Sequence, residues 1–220
     1  MRRVIRNQSL SIVLFLAFFL FLGGQSIAGH LQDNQDRQDH GQAPLSYRAY
    51  LGSSHFLEAT MENWESEFLQ MFAYVVLTAF LFQKGSLESK DPDKTKEVDR
   101  DPRLGKNRRN VPWPVKKGGW ILKLYEYSLS LIFLLLFLMS FWLHGVGGAS
   151  QYNKEQREHG QPPVSVVEFM GTSEFWFQSL QNWQSEFLAV GSMVVFSIFL
   201  RQRWSAESKP VDAPHSETGE

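Results

Sequence analysis

Asn63-Trp64-Glu65-Ser66-Glu67-Phe68-Leu69 returns 119 residues later as Asn182-Trp183-Gln184-Ser185-Glu186-Phe187-Leu188. Sliding the chain against itself by that interval aligns residues 9–90 with 128–209 without a gap, and 31 of the 82 pairs are identical. The identities gather in Ser9-Leu10-Ser11, His40-Gly41-Gln42, the Asn-Trp stretch and Glu88-Ser89-Lys90, each with its partner in the second copy. Self-similarity at one fixed spacing predicts a tandem duplication, and it constrains architecture more than any single motif does.

Working outward from the repeat, the apolar residues fall in blocks separated by charged stretches. Mean hydropathy is pulled below zero by those stretches alone. Residues 10–22 are almost wholly aliphatic or Phe, and residues 128–146 form their internal counterpart. Either run, extended to about 20 residues, crosses a hydrocarbon layer of about 30 Å. Arg2, Arg3 and Arg6, the apolar run and Ser26-Ile27-Ala28 also have the form of a cleaved secretory signal. The internal copy cannot be an N-terminal signal, so a retained first span is the expectation. A second span is expected from residues 54–82, with Ser53 or Ser54 as its N-cap, and a fourth from its copy.

The predicted fold is therefore an all-α integral membrane four-helix bundle made of two two-helix repeats in parallel orientation. Residues 1–90 form the first repeat, 91–123 a charged, Pro-containing cytoplasmic linker, 124–204 the second repeat, and 205–220 a disordered tail. Low hydrophobicity and four prolines argue against a packed linker. Of the 22 Lys and Arg side chains, 18 lie in the N-terminal flank, the linker region or the tail. The positive-inside rule then places both termini and the linker in the cytoplasm. Two spans per copy make both copies enter the bilayer in the same sense, unlike an inverted repeat.

Net charge is −1, with no basic excess, which excludes nucleic acid as an expected partner. The absence of cysteine excludes disulfides, thiolate metal sites and cysteine nucleophiles. No phosphate loop, dinucleotide turn, nucleophile elbow or zinc-protease helix occurs. Neither a catalytic residue nor a cofactor is predicted.

On a helix Asn63, Ser66 and Glu67 share one face, as do Asn182, Ser185 and Glu186. Ionisable groups at membrane depth are functional candidates by default, so these six form the predicted polar-face binding set. The expectation is that the two faces meet. Trp64 and Trp183 are read as interfacial anchors, and that reading allows Glu67 and Glu186 to face headgroups instead. Asp36, Asp39, His40 and Glu155, Glu158, His159 make a weaker, metal-ligating alternative. The competing explanation is helix termination, with Gly41 and Gly160 in the left-handed conformation, the histidines at the C-terminal dipole, and Pro44 and Pro163 preventing continuation.

With N-W-x-S-E-F-L in each half and H-G-Q in each intervening loop, the chain resembles a bacterial family of small integral membrane proteins designated a domain of unknown function. The resemblance covers nearly the whole chain outside the linker and tail. It implies the bacterial cytoplasmic membrane and supplies no activity. The expected function is a non-enzymatic multi-pass bundle working through packing, with the bilayer as partner and a second copy or another membrane protein as its protein partner. The alternatives are a small ion or proton channel or transporter using Glu67 and Glu186, and a membrane-bound metal-dependent enzyme.

Overall fold

A computed structural model describes the backbone of residues 2–219 and the side chains of residues 5–219. Arg2 and Arg3, counted above for orientation, have side chains outside the described residues. Among the described residues the chain forms nine α-helices and two 3-10 turns, and no strand. In order these are α1 (Arg2–Asn7), α2 (Ser9–Asp39), α3 (Tyr47–Leu51), α4 (Ser54–Phe80), α5 (Trp113–Lys117), α6 (Gly119–Glu126), α7 (Ser128–Glu158), α8 (Val166–Met170) and α9 (Ser173–Phe199). The bounds of α7, α8 and α9 are those of α2, α3 and α4 displaced by 119 at every end.

Two helices, α2 and α7, are long and apolar enough to cross a membrane, each 31 residues or about 46 Å. Only 6% and 17% of their most apolar windows are buried, where the core helix of a soluble domain is mostly buried. Helices α4 and α9, 27 residues each, do not reach that apolarity. The shortfall is physical: Glu, Asn, Gln and Ser occupy the outer halves of both. Four expected spans thus become two that stand on length and composition alone.

The chain divides into two compact units, Met1–Met61 with Leu143–Thr172, and Glu62–Trp142 with Ser173–Glu220. In the first, α2 and α7 run far past their apolar segments and end identically. Gly41 and Gly160 take φ of +68° and +66°, and His40 Nδ1 and His159 Nδ1 donate to the carbonyls of Asp36 and Glu155 at 2.7 and 2.8 Å. Asn34 grips Leu45 through both its carbonyl and its N–H, and Asn153 grips Val164 in the same way. Ser46 and Ser165 cap α3 and α8. These short helices were not anticipated. Ser53 Oγ caps α4 by accepting from Phe56 N at 3.2 Å. At Gly147 an added Cβ would lie 2.7 Å from the backbone N of Glu58, so α7 and α4 meet backbone to backbone where no side chain fits.

In the second unit the linker, expected to be extended or disordered, carries the two 3-10 turns, α5 and α6. The tail, also expected to be disordered, folds back on the turn after α4. Lys209 Nζ donates to the carbonyls of Gly85, Glu217, His215 and Pro214 at 2.6 to 3.3 Å and is 4% exposed. Gly85 N donates to Thr218 Oγ1 at 3.0 Å. Four carbonyl dipoles are thus directed at one ammonium, a charge-assisted set of hydrogen bonds.

Candidate functional site

The site lies in the second unit, where α4, α7 and α9 meet. Helix geometry puts Glu62, Glu65 and Ser66 on one face of α4 at i, i+3 and i+4. That face is the buried one. Glu65 is fully buried and Ser66 is 2% exposed. Consecutive residues of α9 hold the two carboxylates. Asn182 Nδ2 donates to Glu62 Oε1 at 2.7 Å, and Trp183 Nε1 donates to Glu65 Oε1 at 3.2 Å. A fully buried carboxylate is costly to desolvate, and an indole N–H is one of the few apolar-bodied donors that can meet it.

Trp183 is fixed in turn by aromatic packing. Its ring lies 6.1 Å from Phe137 and 6.3 Å from Phe141 on α7, and 6.1 Å from Trp176 on its own helix. Phe137 is the midpoint of the apolar residues 128–146. Trp183, expected as an interfacial anchor, packs its ring against the middle of the apolar run of α7. Trp64 packs on Phe68 of the same helix at 6.4 Å.

Two buried hydroxyls stand on the helices that pack around Trp183. Ser140 follows Phe137 by one turn of α7, and Ser179 precedes Trp183 by one turn of α9, so both lie on the faces that carry these contacts. Each is fully buried, and neither Oγ has a hydrogen-bond partner. Buried hydroxyls without partners are rare enough to ask for an explanation.

The six residues picked from the motif are placed otherwise. Helices α4 and α9 do approach, since Gln70 Nε2 donates to the Glu186 carbonyl at 3.4 Å. Glu67 and Glu186 are near enough for their charges to repel. Yet Glu67, Asn63 and Ser185 are exposed and Glu186 is half-buried. Ser66 and Ser185 donate to the backbone carbonyls of Asn63 and Asn182, each at 2.8 Å. Of the predicted six, only Ser66 and Asn182 enter the centre. The reason is angular: Asn63 and Glu67 stand roughly 100° or more around the helix from the middle of the buried stripe of Glu62, Glu65 and Ser66.

Sequence reasoning missed Glu62, Glu65, Ser140 and Ser179, but a signal was present. The repeat partners of Glu62 and Glu65 are Gln181 and Gln184, an acid-to-amide exchange at both positions. Shape is preserved while ionisation is confined to one copy. Gln181 and Gln184 are exposed.

Asp36, Asp39, His40, Glu155, Glu158 and His159 are all exposed. Among the described residues no three His, Asp or Glu side chains gather as a metal site. Glu158 Oε1 instead accepts from Gln42 Nε2 at 2.7 Å. The His40 ring is held above its ordinary pKa first by its hydrogen bond to the Asp36 carbonyl, which outweighs desolvation, with lesser help from the Glu158, Asp39 and Asp36 carboxylates.

No curated protein and no solved structure matches the chain. A family model described as a domain of unknown function, DUF6766, matches residues 1–220, and the chain belongs to that family.

Proposed function

We propose that the chain is a four-span protein of the bacterial cytoplasmic membrane that moves protons or a small monovalent cation through a centre built on Glu65. In this reading α4 and α9 join α2 and α7 as spans, the two copies enter the bilayer in the same sense, and both termini and the linker face the cytoplasm. The observation that carries the reading is the burial of Glu65 against Trp183. Phe137, which touches Trp183, stands nine residues into α7, or about 14 Å along its axis, close to the middle of a layer about 30 Å thick. A carboxylate at that depth is expensive and is retained where it does work. The second copy has Gln at the matching position, where the side chain is exposed and no charge is buried.

The centre supplies what cation handling requires. Glu65 offers a charge that can be neutralised, and Ser140 and Ser179 offer oxygens not committed to other partners. Glu62, half-buried and one turn nearer the start of α4, extends the carboxylate path. Flux of protons, Na⁺ and K⁺ into proteoliposomes tests the proposal. Wild-type protein should support flux of one of them, Glu65→Gln should abolish it, and Glu67→Gln should leave it within about twofold of wild type. No flux of any of the three ions, or equal flux in Glu65→Gln, returns the chain to a packing role.

A further inference from the structure

We infer that a second site, at the end of α4 remote from its N-cap, binds a hydrophobic organic cation. An open cavity of about 1250 Å³ lies there within the second unit. One wall is apolar, made by Val75, Val76, Ala79 and Phe80 of α4 and Leu129 of α7. Around it stand four acidic side chains, Glu88, Glu97, Asp99 and Glu126, against two basic ones, Lys90 and Lys96. Both lysines are engaged, Lys90 Nζ with Asp99 Oδ1 and Lys96 Nζ with the Gly219 carbonyl, each at 2.6 Å. The cavity therefore presents net negative charge beside an apolar surface.

Glu88 gives this charge a direction. Tyr74 OH donates to its Oε2, while its Oε1 is buried with no hydrogen-bond partner. A carboxylate oriented by a phenol and left half satisfied is a receptor for positive charge. Tyr74, Phe80 and Tyr127 line the same cavity, and aromatic rings attract cations that carry apolar substituents. An anionic lipid headgroup is disfavoured by the acidic excess, and a bare metal ion would gain nothing from the apolar wall. The second copy has lost the arrangement, with Met193 at the place of Tyr74. The site does not depend on the Glu65 reading, since the two share no residue.

Binding of tetraphenylphosphonium to the full chain in detergent micelles, followed by calorimetry, tests it. The expected result is saturable binding weakened about tenfold or more in Glu88→Gln, because one close unit charge in a partly dry site is worth at least that much. Tetraphenylborate has the same shape and opposite charge, and it should not bind. Protection of a single cysteine at Ser130→Cys from a maleimide by tetraphenylphosphonium gives a readout that does not rely on Glu88→Gln folding. Equal affinity for the two ions, unchanged affinity in a folded Glu88→Gln, or absence of protection would each overturn the proposal and leave an apolar trough for lipid chains.

Discussion

At the scale of the residue, the working distinction is between Glu65 and its neighbour Glu67. Glu65→Gln keeps the shape that Gln184 shows to be compatible with the motif, so its thermal midpoint should stay close to wild type while flux is lost. Glu65→Ala removes the acceptor of the Trp183 indole as well, and should cost about 1 to 3 kcal/mol for the donor left unpaired. Denaturation in detergent separates the two variants, and equal stability of both would remove the Trp183 bond as a structural element. His40 carries a pH dependence with a definite sign. Its folded pKa is raised, so its contribution to holding the end of α2 is complete below the ordinary value of about 6.5 and fades as pH climbs through the folded value. Protection factors of the amides of residues 36–42, taken relative to intrinsic base-catalysed exchange, should fall between pH 6 and 8, and His40→Gln should flatten that fall. Much at this scale was hidden. Burial of Glu65 depends on which side of α4 meets α9, which helical periodicity cannot say, and only the paired exchange of Glu62 and Glu65 for Gln181 and Gln184 pointed to it.

At the scale of the element, the internal match carried most of the information. Each main helix of the first copy has a counterpart of equal length, and the turns that follow α4 and α9 share their bonds. Gln83 N and Gln202 N each donate at 2.8 Å to Ser89 and Ser208 Oγ. Where the first turn has Gly85 at φ +86°, the second has Trp204 at φ +70°. The turn is thus held by its serines as well as by glycine. The ends of α2 and α7 were legible because glycine followed by proline has one physical meaning at a helix terminus. The contacts of Lys209 were not legible, since it reads as a solvated charge until carbonyls from distant residues surround it. Close backbone approach at Gly147 yields a direct prediction. Gly147→Val should destabilise by about 1 to 3 kcal/mol through overpacking against Glu58, whereas Gly23→Val, in open space on α2, should be nearly neutral.

For the whole molecule, the proposed orientation rests on 18 of 22 basic side chains lying in the two ends and the linker region. A cysteine-free chain suits the test. In intact cells an impermeant thiol reagent should label Leu45→Cys and spare Gly105→Cys, and the opposite pattern would invert the topology. The two most apolar helices were legible from composition. Whether α4 and α9 also span was not, because both carry a polar outer half that gains partners only after packing. That half holds the buried centre, so the number of spans and the position of Glu65 are one question.

Reaction with carbodiimides answers it most directly. A lipid-soluble carbodiimide reaches carboxyls inside the hydrocarbon, and a water-soluble one reaches those outside it. Peptide mass analysis of the protein in membranes should find the lipid-soluble reagent on Glu65 and none of the water-soluble one there. Modification of Glu65 by the water-soluble reagent alone would put the carboxylate outside the bilayer and contradict the membrane-buried centre.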